Sequence, residues 1–524
     1  MLIRQCLLIG LSTTLACAQV NQTNTDCHCD QLITTSGTYK YDGRAMPNQT
    51  VCIKAGNYTY LQFFNYTGTA EKPVRFINCG GKVVLANSKA PSGLAFYDCK
   101  FFKVSGTGAD YGIRIDQTAA GGQGVSVTGK SSDAELEYIE VAGADFAGIM
   151  VKTDPTCDPA TWQGNLVMNN INIHHNHVHD VGGEGMYIGN SFFSTGMNRT
   201  CDGVAKTVYP HFIYGLNIHH NLTERTGAEG IQYGCAPDAE VHHNTVLNTG
   251  QSPFATYQNN GIQIGGGAGG RLYSNIVSGA PGTGIIIIGH LGNTLVYNNF
   301  VSKCGDIGLF CDDRVGSQVG ASVAILNNTL IDCGKEGIKL YNEINKNTIA
   351  NNVIAKVAPN QTGRFDYVLF GQGAKATVSN NRYSASPDSL GFIQSNSVEK
   401  GFLLTKNSPL IDAGAEVSAY NVFFDLIGNV RRLGRAVDIG AHEFIPENTL
   451  ILFPNPLKDF LTVQTGAIID RITIYNEQGV EVDNRVPPTA SDVSEVPVQS
   501  LQAGVYVVTV ETKAGRCAGR FVKL

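Results

Sequence analysis

Along the middle of the chain, apolar and polar residues alternate in short runs that never settle into the 3.6-residue spacing of a helix. The runs recur. An aliphatic residue, two variable positions and an asparagine appear at Ile173–Asn176, Ile218–Asn221, Val241–Asn244, Leu272–Asn275, Val296–Asn299, Ile325–Asn328 and Ile349–Asn352. Successive asparagines stand 45, 23, 31, 24, 29 and 24 residues apart. Each unit leads to a glycine and a short aliphatic strand: Gly185–Ile188, Gly230–Tyr233, Gly261–Ile264, Gly284–Ile287, Gly308–Cys311 and Gly337–Leu340. Earlier copies of that strand stand at Gly112–Ile115 and Gly148–Val151. A unit of roughly 23 residues cannot bury its apolar face alone, so successive coils must stack. Short strands with Gly and Asn corners predict an all-β solenoid, a parallel β-helix, with the asparagines forming an inward amide ladder.

The ends of the chain differ from this middle. Arg4 is the only charge before an apolar stretch from Cys6 to Leu15, and Ala16-Cys17-Ala18 offers a cleavage site. Residues 1–18 are therefore expected to be a secretion signal, with Thr14–Cys17 as an imperfect lipidation box in the alternative. No later segment has the ~20 apolar residues that span a bilayer. Of 14 cysteines, 12 remain once Cys6 and Cys17 are removed, an even number that suits disulfides plus buried thiols in an oxidising compartment. The balance of 38 basic and 44 acidic residues, −6, is too weak to indicate a nucleic-acid binder. Residues 19–446 are assigned to the solenoid and 447–524 to a second domain, in which alternating strands such as Ile472–Tyr475 and Ala503–Val510 predict a small β-sandwich of about seven strands.

The repeats resemble the right-handed parallel β-helix family shared by pectate lyases, chondroitinase B and related polysaccharide enzymes. Val51–Tyr58 followed by Gly68–Val74 is similar to the opening coils of chondroitinase-B-like members, and Asn407–Gly414 and Asp438–Phe444 to a closing segment of secreted β-helix proteins. The order Phe453-Pro454-Asn455-Pro456, Glu477-Gln478-Gly479, Ala503–Val510 and Phe521–Leu524 resembles the C-terminal sorting domain of type IX secretion in Bacteroidetes. That resemblance implies contact with the type IX machinery and a secreted or cell-surface protein. The reaction motifs of pectate lyases, polygalacturonases and alginate epimerases are absent, so the resemblance assigns no catalytic residue.

Candidate chemistry follows from stacking. In each glycine-led strand the aliphatic residue points inward and its successor outward, which gives an outward row containing Tyr187, Gln232, Gln263 and Lys339. One place before the glycine, Glu184 and Glu229 are equivalent, so directly stacked coils bring two carboxylates near the ~5 Å of a retaining glycosidase pair. Insertions at 154–163 and 190–212 each carry one cysteine, Cys157 and Cys201, and a disulfide between them would raise a wall over this row. Trp162 and Tyr187 are candidate sugar-stacking groups, with Gln232 and Gln263 as polar contacts. Further along, Asp312 and Asp313 are candidate ligands of Ca²⁺, Lys339 a candidate base, and His290 and Arg314 candidate substrate contacts, as an eliminating lyase requires. The paired histidines 174/175, 219/220 and 242/243 flank the asparagines and are expected to stack as imidazoles, while His177, His179 and Asp180 lie nearest Glu184. Cys304 and Cys333 are equivalent, as a disulfide or a thiol stack. The expected function is a polysaccharide lyase or glycoside hydrolase, a monomer without a transmembrane segment; the alternative is a non-catalytic, glycan-binding adhesin.

Overall fold

The computed structural model describes residues 27–107, 111–312, 321–343, 346–371, 373–393, 402–447 and 449–524; the expected secretion signal, and Asp313 and Arg314, lie outside them. The described residues form two compact units, one ending at Glu443 and the other beginning at Phe444. The larger is a parallel β-solenoid. Coils stack through one sheet of 12 strands and another of 23, the latter taking two strands from a typical coil. In one coil these are Ile171–His174 and His177–His179, with Met186–Ile188 entering the smaller sheet. Three short 3-10 turns interrupt the β structure, and there is no α-helix among the described residues.

The amide ladder sits at the bend between the two strands of the larger sheet. Nδ2 of Asn176, Asn221, Asn244, Asn275, Asn299, Asn328 and Asn352 each donates to Oδ1 of the next asparagine at 2.9–3.0 Å, and Asn381 extends the series by one coil. Each Oδ1 also accepts the backbone N–H of the asparagine before it, as Asn275 does from Asn244 at 3.0 Å. The sharp bend puts the preceding residue in the left-handed region: His175, His220, His243, Ser274, Asn298, Asn327, Asn351 and Asn380 have φ between 49° and 58°. Asparagine and histidine tolerate that region better than most side chains. Glycine leads the strands of the smaller sheet for a different reason. A Cβ at Gly261 would lie 2.3 Å from Val277 Cγ1 and 2.5 Å from the carbonyl oxygen of Gly284.

The histidine pairs follow from the same bend. Imidazoles of His174, His219 and His242 stack at 4.7 and 5.0 Å, and those of His175, His220 and His243 at 5.1 and 5.0 Å. Later coils place asparagines in the second of these rows, and the closing segment docks there. Asn298 Oδ1 accepts from the buried Arg431, Asn327 donates to the carbonyl of Asp438, and Asn351 to that of Ala415. Disulfides Cys27–Cys79 and Cys29–Cys52 staple the first coils, whereas Cys304 and Cys333 are buried free thiols. The second unit has the expected seven strands, three in one antiparallel sheet and four in another, around Leu461, Val463, Ile472, Ile474, Val508, Val510 and Phe521.

Replacing Asn275 by alanine removes the acceptor of Asn244 N and Nδ2, and the donor to the carbonyls of Val241 and Tyr273. A loss of about 2–3 kcal/mol is expected, read as a lowered urea midpoint; an unchanged midpoint would contradict the ladder's role.

Candidate active site

The strands Met186–Ile188, Ile231–Tyr233 and Ile262–Ile264 pair in register, with Tyr187 beside Gln232 and Gln232 beside Gln263. The flanking aliphatic positions belong to the solenoid core, whereas Tyr187, Gln232 and Gln263 do not. Just upstream, Gly148 N donates to the carbonyl of Glu184 and Gly185 N to that of Glu229, both at 2.9 Å. Glu184 and Glu229 therefore occupy consecutive rungs, as their equivalence in the repeat predicts.

Their surroundings differ from the open groove that outward-facing rows suggest. Glu184 is 1% and Glu229 0% exposed, and Tyr187, Gln232 and Gln263 are also buried. The equivalent positions Ala147, Asn260, Thr283 and Ile307 are buried as well, and the 31-residue step between Asn244 and Asn275 adds a segment beside the row. Its extra residues fold back, so that Gly250 N, Gln251 N and Ser252 N donate to the carbonyls of Ala228, Thr226 and Gly227, immediately before Glu229. Phe254 from this segment packs on Phe146 at 5.6 Å, and Phe146 meets Tyr187 edge-on at 6.2 Å. Phe254 and Tyr257 nevertheless stay 55% and 80% exposed, an apolar tip facing solvent beside the carboxylate row.

Oε2 of each glutamate has no hydrogen-bond partner among the described residues. Burial pushes both carboxyls up to about 7, and for Glu229 the neighbouring Glu184 charge adds to the rise. The two are not equivalent. Asn260 Nδ2 donates to Glu229 Oε1 at 3.0 Å, which favours the ionised form of that residue. Lys152 lends Glu184 a weaker opposing attraction, since its Nζ is paired with Asp154 at 2.9 Å and lies 4.6 Å from the Tyr187 ring centre. Gln263 donates to Gln232 at 2.7 Å, leaving the Gln263 carbonyl as a polar contact of the row.

The other expected residues fall into separate places. The Cys157–Cys201 disulfide joins the two insertions as anticipated. The 190–212 insertion reaches the row, where Ser191 bonds the Tyr187 hydroxyl at 3.0 Å. Trp162 instead lines its own cleft of about 410 Å³ with Lys206, Thr207, Val208 and Tyr209, its indole N–H fixed to the Thr156 carbonyl. His290 is fully buried, because Gly289 turns the chain with φ 64°, and it offers no surface to a polymer. Lys339 sits between the rings of Phe310 and Tyr341, with Nζ 3.9 Å from Glu336. Asp312 is half-buried at the end of the neighbouring strand. Sequence reasoning gave no role to Asn260, which takes the place after Glu229 in the same row, and missed Lys152 and the 251–259 segment; the irregular repeat step was the available sign of the last.

Comparisons with known proteins bear on the fold and the destination. Residues 212–383 match the family model described as the right-handed β-helix region, and residues 451–523 match the secretion system C-terminal sorting domain. The chain is a right-handed parallel β-helix carrying a type IX sorting domain. That domain directs the protein to secretion and the cell surface, and no helix among the described residues is long and apolar enough to cross a membrane. A search of curated proteins found no match. Among solved structures, the β-helix protein is similar to pectate lyase Pel9A at 13% identity over 79% of this chain and 96% of the other, with a TM-score of 0.33. It is similar to the periplasmic alginate epimerase AlgG at 12% identity over 64% and 77%, TM-score 0.29. A GH136 lacto-N-biosidase from Eubacterium ramulus matches at 13% identity over 64% and 62%, TM-score 0.36.

Because the ordinary glutamate value is 4.5 and both carboxyls stand near 7 here, the folded state binds their protons more tightly than the unfolded state. Stability is therefore expected to fall as pH rises from about 4.5 to 7 and to level off above that window. The Glu184→Gln, Glu229→Gln double variant should flatten this slope in denaturation curves collected across it. An unchanged slope would contradict the raised values.

Proposed function

We propose that this β-helix protein is a secreted enzyme that cleaves a polysaccharide, with Glu184 and Glu229 as its acid and base. The observation that carries this reading is two carboxyls on consecutive rungs, both buried, each with a bare oxygen, and neither neutralised by a cation in hydrogen-bond contact. Such burial costs stability unless the groups hold protons. With both carboxyls near 7, the pair stays partly protonated at neutral pH. In this reading Glu229, held by the Asn260 amide, is the anion and Glu184 carries the proton, so that the Glu184 charge no longer opposes ionisation of Glu229. Glu184 then serves as general acid to the glycosidic oxygen, and Glu229 as nucleophile or base on the opposite side of the sugar. The spacing of adjacent parallel strands, ~4.8 Å, suits the retaining arrangement.

Binding would draw on neighbours already in place. Tyr187, Gln232 and Gln263 continue the row and supply an aromatic face and amides for sugar hydroxyls. Since both carboxyls are fully covered, a polymer reaches them only after the residues over them move, and in this reading the 251–259 segment beside residues 226–228 is the part that swings. Phe254 and Tyr257 at its tip would then meet the sugar chain.

The test incubates the full secreted chain with neutral and uronate polysaccharides, following reducing ends and unsaturated uronide together, with and without EDTA. New reducing ends without unsaturated product are expected, with kcat lowered about 100-fold or more by Glu184→Gln and by Glu229→Gln. EDTA-sensitive unsaturated uronide would instead move the chemistry to Lys339, with Ca²⁺ held by Asp312 and Asp313. Full activity in both glutamine variants would overturn the assignment, and glycan binding without any product would replace an enzyme by an adhesin.

A further inference from the structure

The outer face of the larger sheet carries a second cluster, away from the glutamate row. Glu140 on the strand Ile139–Ala142 pairs with His177, and Ala142 with His179, on the strand His177–His179; the next strand puts Glu224 beside His179. Strand periodicity sends His177 and His179 to the same face. One ligand atom from each of Glu140, His177 and His179 lies within 4.8 Å of the others. Glu224 Oε1 is 3.0 Å from His177 Nε2.

We propose that Glu140, His177 and His179, with Glu224 beside them, bind a transition-metal dication, zinc by the chemistry of the set. Two imidazoles with one or two carboxylates match the nitrogen and oxygen donors that zinc selects, while calcium and magnesium take oxygen almost exclusively. The outer contacts supply an independent argument. His179 Nδ1 is 2.6 Å from Asp180 Oδ2, and Asp180 is gripped by two bonds from Arg225 at 2.8 and 2.9 Å. A carboxylate on Nδ1 fixes the tautomer and leaves the Nε2 lone pair for a metal, and Nε2 faces Glu140 at 3.3 Å. Arg225 also holds Glu224 at 2.7 Å, so one guanidinium braces both carboxylates of the outer layer.

Charge favours a dication as well. Glu140, Glu224, Asp180 and Asp116 face Lys82, Arg114 and Arg225, so the cluster with neutral imidazoles is one negative charge in excess. Arg114 and Lys82 both reach Glu140, at 2.6 and 3.4 Å, and are the groups a metal must share it with.

The full secreted chain, stripped with EDTA and then dialysed free of it, is titrated with Zn²⁺ by calorimetry and with Co²⁺ by visible absorption. One ion per chain is expected, with a Kd of about micromolar or tighter. His177→Ala and His179→Ala should abolish it, and Asp180→Ala should weaken it about 10–100-fold. Glu140→Gln, which retains shape, should weaken Zn²⁺ binding even if a histidine variant fails to fold. His219→Ala and His242→Ala, in the stacked histidine rows, should leave it unchanged. No bound ion, or an ion retained in His177→Ala and His179→Ala but lost from the stacked-row variants, would overturn the proposal. Because this cluster lies on the larger sheet, whereas Glu184 and Glu229 stand just before strands of the smaller one, either result leaves the acid–base reading to its own test.

Discussion

The asparagine ladder is the constraint on which the rest of this molecule depends. Parallel strands of three or four residues carry little intrinsic preference for one register, and a slip of one residue would turn every side chain to the opposite face. Each ladder amide bonds its successor and the backbone of neighbouring coils, so a buried donor or acceptor is left bare if any coil slips. Eight such amides, from Asn176 to Asn381, hold the coils in step. Equivalent residues are then brought into rows, whatever their chemistry.

Those rows are used differently at different places. Where Glu184 follows Glu229 in the stack, like charges meet in a buried setting and hold protons. Where imidazoles follow one another beside the ladder, the effect is opposite. Burial and neighbouring imidazoles push His219 and His220 down to about 4 and His242 to about 3, so these three rings stay neutral and serve packing. In later coils asparagine occupies the outer of these two rows and anchors the closing segment through Arg431 and the backbone of Asp438 and Ala415. One bend in the coil thus gives a histidine stack at one end and a docking strip at the other.

Much of this was legible from residue order. The recurring aliphatic-x-x-Asn and glycine-led strands fix coil length and register, and from them the stacking of Glu184 on Glu229 and the imidazole stacks follow, while the seven strands of the sorting domain were legible in its own alternating runs. The Cys157–Cys201 link was legible because each insertion carries one cysteine. Burial was not. Nothing in the period-two pattern tells that Gln251–Asn259 folds back on the coil before Glu229, or that the turn at Gly289 carries His290 inward. Trp162 was placed in the correct insertion, but its orientation is set by a hydrogen bond to Thr156 within that insertion. Glu140 escaped notice because its coil, like those before it, lacks the asparagine that marks the later ones, so its pairing with His177 shows only in the register of the strands.

The central claim is that stacking holds Glu184 and Glu229 as a buried pair that stays partly protonated at neutral pH. Infrared difference spectra of the full chain across a pH titration observe this directly, through the carbonyl band of protonated carboxylic acids, in the wild type and in Glu184→Gln and Glu229→Gln. The account predicts a buried carboxylic acid that persists to pH about 7 and is lost or shifted in each variant. Loss of every protonated carboxyl near the ordinary value of 4.5, with no difference between wild type and variants, would contradict it.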